Sequence, residues 1–199
     1  MSVKSFVYAS LCAASFATPA LSGGHSGGLP GLKGMDHIGF TVPDLDQAVT
    51  FFRDVMGCGE FYPLGPFSGG HSTWMQDHLN VHPRAEIPAM RLMRCGNGTN
   101  LEIFQYTSPD QNLRGPKNSD VGGHHLAFYV EDMEAAVSYL RAEGLEVLGN
   151  PTTMAEGPSA GETWVYFLAP WGMQLELVSY PDGKAYEAEY DGQLWDPRS

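Results

Sequence analysis

One segment of the chain occurs twice, and that repeat constrains the fold more than any other feature. His37-Ile38-Gly39-Phe40-Thr41-Val42 followed by Pro43-Asp44-Leu45-Asp46-Gln47-Ala48-Val49 returns as His125-Leu126-Ala127-Phe128-Tyr129-Val130 followed by Glu131-Asp132-Met133-Glu134-Ala135-Ala136-Val137. Each copy closes with a matched segment, Asn100-Leu101-Glu102-Ile103-Phe104 in the first and Gln174-Leu175-Glu176-Leu177-Val178 in the second. Two copies of one module imply two structural units that bury their apolar faces together. Each copy also contributes one His and one Glu at equivalent positions, in a chain with only seven histidines.

Within each copy the hydrophobic period changes from two to 3.6. Met35 to Val42 reads as a strand ended by Pro43. Asp44 with Gln47 three residues on has the form of a capping box, and Leu45, Ala48, Val49, Phe52 and Met56 recur at helical spacing before Gly57. In the second copy Gly123 to Val130 is the strand, Asp132 the cap, Met133, Ala136, Val137 and Leu140 the apolar stripe, and Gly144 the stop. Further strands are predicted at 60–64, 89–95 and 99–106, and at 146–149, 162–168 and 173–180. Each module is therefore βαβββ, and the fold class is α+β.

His125 follows His37 by 88 residues and Glu176 follows Glu102 by 74, so the first copy is 14 residues longer. The excess falls around Phe67 to Pro88, with Trp74, His71, His78 and His82. It is either a substrate-reading loop on a rigid scaffold or a surface excursion packed on its own aromatics.

Side chains alternate across a strand. His37, Gly39 and Thr41 therefore share one face, and Ile38, Phe40 and Val42 meet the helix. The same register puts His125, Ala127 and Tyr129 on the equivalent face and selects His125 over His124 as the counterpart of His37. Glu102 and Glu176, flanked by Leu101 and Ile103 and by Leu175 and Leu177, face away from an apolar row. The four residues His37, Glu102, His125 and Glu176 are candidate metal ligands. Two imidazoles and two carboxylates suit Zn, Ni, Co, Mn or Fe(II), and in an octahedral site leave two positions for water or substrate. Alternation further nominates Thr41, Phe104, Tyr106 and Tyr129, with Trp74 nearby, as a lining for a small oxygenated compound.

Other chemistries fit less well. The glycine pairs form neither a Gly-x-x-x-x-Gly-Lys-Ser/Thr nor a Gly-x-Gly-x-x-Gly pattern. His78 and His82 lie four apart, but Pro83 follows and no Glu stands after His78, against a zincin.

The N-terminus reads as a secretory signal over 1–22, with Lys4, an apolar run from Phe6 to Ala17, and Ala20-Leu21-Ser22 before Gly23. It is too short for a membrane span, so a secreted or periplasmic protein without a stable membrane anchor is expected. A Gly-rich leader covers 23–34, the repeat domain 35–180 (modules 35–106 and 123–180), and a tail 181–199. A net charge of −12 argues against nucleic acid as a partner. Cys58 and Cys95 are compatible with one disulfide or with two buried thiols, the preferred reading. Asn97-Gly98-Thr99 is a glycosylation sequon in a turn.

The order His37, Glu102, His125, Glu176 on paired modules, the run Asp-His-Ile-Gly-Phe-Thr-Val before Pro-Asp-Leu, and Ala169-Pro170-Trp171-Gly172 before Gln-Leu-Glu-Leu-Val resemble the vicinal oxygen chelate superfamily. That group takes in glyoxalase, bleomycin resistance proteins, methylmalonyl-CoA epimerase and extradiol dioxygenases. The resemblance implies a curved half-barrel around one divalent ion and a small-molecule substrate chelating through adjacent oxygens. It also implies a frequent further assembly into homodimers. It points to a metal-dependent lyase or isomerase in which Glu176 or Glu102 shuttles a proton. An Fe(II) extradiol-type dioxygenase and a non-catalytic metabolite-binding protein are the alternatives. Glutathione-using members often have an Arg four residues after the first ligand and an Asn four after the second. Thr41 and Tyr106 stand there instead.

Overall fold

The computed structural model describes residues 29–199. The signal segment 1–22, Cys12, His25 and the first half of the leader lie outside the described residues. Two curved, open sheets carry the repeat.

In the first module β1 (His37–Thr41) leads into α1 (Leu45–Thr50), whose helix continues as a π turn over Phe51–Val55. Then follow β2 (Gly59–Leu64), β3 (Phe67–Ser68), α2 (Trp74–Leu79), β4 (Glu86–Arg94) and β5 (Asn100–Thr107). The second module runs β6 (Leu126–Tyr129), α3 (Met133–Ala142), β7 (Val147–Thr153), β8 (Thr163–Leu168) and β9 (Gln174–Ser179), followed by a short 3-10 helix at Ala185–Ala188. The sheet orders are β1-β5-β4-β2, with β3 also on β4, and β6-β9-β8-β7.

The helix starts follow from their caps. Asp44 Oδ1 accepts from the Gln47 amide at 3.0 Å, and Asp132 Oδ1 from the Ala135 amide at 2.9 Å, each satisfying one free N–H of the first turn. Gly57 and Gly144, at φ 70° and 78°, turn the chain out of the helices in a conformation that side chains resist.

A single core joins the modules. It takes Phe40, Val42, Leu45 and Phe52 from the first and Val137, Leu140, Phe167 and Leu175 from the second. Trp171, in the β8–β9 turn, packs its ring 5.6 Å from Phe51 and 6.0 Å from Phe52, and the Tyr139 hydroxyl donates to the Val55 carbonyl at 3.2 Å. The module-one insertion packs on the sheet and lines a cleft with Gln76, Asn80, Val81, His82 and Pro83. Its helix α2 drops Met75 onto Ala85, Ile87 and Met90, a second small core with Phe104 and Tyr106 at its margin.

The preferred reading of Cys58 and Cys95 as free thiols is corrected: they form a disulfide linking the start of β2 to the end of β4. Gly59 pairs with Arg94 in the β2–β4 ladder, so the two cysteines flank a cross-strand pair, a proximity that spacing along the chain does not show. Among the described residues no helix is long and apolar enough to cross a membrane.

Candidate active site

The repeat places its polar residues identically in both sheets. β1 runs parallel to β5 with Gly39 opposite Glu102, and β6 runs parallel to β9 with Ala127 opposite Glu176. In both cases the histidine stands two residues before the partner of the glutamate, on the same strand face. The result is two matched pairs: His37 Nε2 lies 3.1 Å from Glu102 Oε2, and His125 Nε2 lies 3.0 Å from Glu176 Oε2. His124 Nδ1 instead lies 3.1 Å from the Gly122 carbonyl, in the turn before β6.

Further residues that the sequence reading did not nominate hold the imidazoles from behind. Asp36 Oδ2 accepts from His37 Nδ1 at 2.8 Å, and Asn118 Nδ2 lies 3.3 Å from His125 Nδ1. The carboxylate on Nδ1 of His37 fixes ring orientation and directs a free Nε2 outward, the arrangement that supports a metal-binding histidine, whereas the Asn118 amide nitrogen orients the His125 ring without fixing that tautomer. Asp36 is adjacent to His37 and could have been suspected. Asn118 depends on a turn in which Gly123 donates to the Asp120 carbonyl at 2.8 Å. A Cβ on Gly123 would lie 2.1 Å from the Lys117 carbonyl, so only glycine lets that turn close. The His125 ring also meets the edge of Tyr166 at 5.1 Å.

Electrostatically the halves differ. The hydrogen bond to Asp36 raises the His37 pKa above its ordinary value, against a smaller opposing effect of burial, and the Glu102 charge adds to the rise. Burial raises the carboxyl of Glu176, and the imidazole of His125 only partly offsets this. Tyr106 and Tyr166 are both pushed up, by burial first and then by Glu102 and Glu176 respectively, so both remain hydroxyl donors beside a carboxylate.

One cleft lies along each sheet, and of the four residues only Glu176 lines one of them. The first, about 830 Å³, includes Gly39, Thr41, Phe104, Tyr106 and His82. The second, about 500 Å³, includes Ala127, Tyr129, Glu176, Tyr180 and Lys184. The expected single lining is therefore corrected. Thr41, Phe104 and Tyr106 share the first cleft, Tyr129 belongs to the second, and Trp74 lines neither. Its ring is 46% exposed and stacks on His78 at 4.8 Å.

The donor set of each pair, one imidazole nitrogen and one carboxylate oxygen, suits a borderline divalent ion. Each pair alone supplies two donors. Among the described residues no three His, Cys, Asp or Glu side chains are grouped so as to hold one ion.

Comparison with known proteins agrees with this architecture. The chain is 47% identical over 171 residues to 2-epi-5-epi-valiolone epimerase of Actinomyces sp, across 85% of this chain and 92% of that protein. It is 27% identical over 140 residues to the mitochondrial methylmalonyl-CoA epimerase of Mus musculus, across 68% of this chain and 67% of that one. A glyoxalase family protein from Bacillus cereus superposes with a TM-score of 0.58 at 20% identity, over 76% of this chain and 98% of its own, a likeness of fold alone. The family model described as the Glyoxalase/Bleomycin resistance protein/Dioxygenase superfamily matches residues 36–167, and the chain belongs to that superfamily.

Proposed function

We propose that the protein is an epimerase that removes and returns the proton on a carbon next to a carbonyl in a small, oxygen-rich substrate. Support comes from the 47% identity to an epimerase over most of both chains and from the second epimerase among its relatives. The observation that carries the reading is the His–Glu pair repeated at one register in both sheets.

His37, Glu102, His125 and Glu176 are the proposed ligands of one divalent ion: Zn, Ni, Co, Mn or Fe(II). Such an ion, when bound, polarises a carbonyl oxygen as a Lewis acid and acidifies the neighbouring C–H. The chain's own carboxylates move the proton. Glu176 is the proposed base, because burial raises its carboxyl toward the range in which a group can both take and release a proton. Glu102, in the other half, is the proposed donor that returns a proton to the opposite face, which inverts the carbon with no net change in atoms or electrons. The Tyr106 and Tyr166 hydroxyls supply further donors at the two halves.

Among the described residues the two pairs are not grouped together, and a homodimer is the proposed way to join them, with the first half of one copy facing the second half of its partner. The β2–α2 stretch exposes Phe61, Tyr62, Phe67 and Trp74, apolar surface of the kind that association covers. Export to an oxidising compartment is the proposed location, supported by the signal-like segment 1–22 and by the Cys58–Cys95 disulfide.

Proton exchange tests the activity. Metal-loaded protein with 2-epi-5-epi-valiolone in deuterated water should introduce deuterium at the carbon next to the carbonyl and form the epimer. Failure to exchange that proton under any of the five metals contradicts the reading.

A further inference from the structure

The chain beyond β9 folds back over the second half-site. Gly183 donates to the Tyr180 carbonyl at 2.9 Å and reverses the direction. Ala185 and Tyr186 then donate to the Ala160 and Pro158 carbonyls at 3.0 and 2.9 Å, tying the segment to the β7–β8 connection. Near the end, Arg198 closes a clasp. Its guanidinium donates to the Tyr180 carbonyl at 3.1 Å, to Glu187 Oε2 at 2.9 Å and to both Asp196 carboxylate oxygens, the shorter contacts at 2.8 Å. The terminus reaches the other module as well: Asn97 Nδ2 donates to the Ser199 carbonyl, and the Trp195 ring lies 3.9 Å from where a Cβ on Gly98 would stand. A segment fastened at both ends and at its middle is not a free tail.

This segment brings a cation into the cleft that holds Glu176. The Lys184 side chain is only 14% exposed, and its ammonium sits 4.1 Å over the Tyr180 ring and 5.0 Å from the centre of the Tyr186 ring. Its separation from Glu162 Oε1 is 4.0 Å, beyond hydrogen-bond reach. The two cations of the cleft are thus employed differently. Arg198 spends its donors on Asp196, Glu187 and a carbonyl, whereas Lys184, oriented by two aromatic faces and hydrogen-bonded to the Tyr186 side chain, keeps its remaining donors for a ligand.

We propose that residues 181–199 form a wall of the second half-site and that Lys184 is its specificity-determining contact, donating to a hydroxyl or carbonyl oxygen of the substrate. Arg198 is the positioning residue that holds this wall in place. The inference rests on the epimerase reading for its substrate and on the fold alone for the wall.

The test uses full-length, metal-loaded protein as wild type, Lys184→Met, Arg198→Gln and Arg198→Lys, with two readouts. One is epimerisation of 2-epi-5-epi-valiolone, and the other is amide hydrogen exchange over residues 182–199. Lys184→Met should raise KM at least tenfold, keep kcat within threefold and leave exchange unchanged, the pattern of a lost binding contact. Arg198→Gln should speed exchange of the segment at least tenfold and raise KM with it, and Arg198→Lys should recover part of both. A wild-type KM in both Lys184→Met and Arg198→Gln overturns the proposal, as does rapid exchange of the segment in the wild type. An inactive wild type ends the epimerase reading and the Lys184 contact with it. The wall is then decided by exchange alone, upheld by protection that Arg198→Gln removes.

Discussion

His37 lies between two carboxylates, Asp36 at 2.8 Å on Nδ1 and Glu102 at 3.1 Å on Nε2, and this raises its pKa. A protonated His37 donates to both, so the arrangement stabilises the fold fully below the unfolded value near 6.5 and loses that contribution as pH rises through the raised folded value. Metal binding runs the other way, because Nε2 must give up its proton to become a ligand. Metal affinity should therefore fall as pH drops through the His37 pKa, and Asp36→Asn should shift that acid limb to lower pH. Metal titrations of both proteins over pH check this, and coincident limbs would show that Asp36 does not tune the site. The two carboxylates should also differ. With metal content matched, Glu176→Gln should lower kcat by about 10² to 10⁴, the range for a positioned base, and steady-state epimerisation measures it. Strand alternation made these residues legible, including the preference for His125 over His124, because a register two residues long assigns every side chain to a face. It could not say that Tyr129 and Thr41 lie in different clefts, since a face is a property of one sheet and a cleft depends on what packs across it.

Helix caps and cross-strand links act one level up. Asp132 satisfies the Ala135 amide, and α3 buries Met133, Val137 and Leu140 behind it. Asp132→Ala should cost about 1 kcal/mol, lowering Tm by about 2–4 °C in a domain of this size. The Cys58–Cys95 disulfide closes a loop of 37 residues and restricts the unfolded chain. Cys95→Ser should cost about 2–4 kcal/mol, measured by denaturant unfolding against the oxidised wild type. The strands and both main helices were readable because their periods of two and 3.6 are separable and Pro43, Gly57 and Gly144 punctuate them. The insertion was readable only as excess length. Helix α2 is six residues long, too short for a periodic signal, and its place is set by Met75 packing on Ile87 and Met90, contacts between residues distant along the chain.

At the scale of the whole molecule, the repeat shows that two modules are alike but not how they are disposed. Phe51, Phe52 and Trp171 dock the modules through one core, while the His37–Glu102 and His125–Glu176 pairs remain apart, one in each sheet. The most direct measurement mixes two defects in one dimer. Chains carrying His37→Ala and chains carrying His125→Ala should each lack metal when purified alone. Co-expressed with different tags and isolated as the mixed dimer, they leave one combination of half-sites intact, the unaltered first half of one copy with the unaltered second half of the other. That dimer should hold one ion per two chains and regain about half the wild-type activity. A mixed dimer without metal, beside a wild type that binds one ion per chain, would contradict a centre shared between copies.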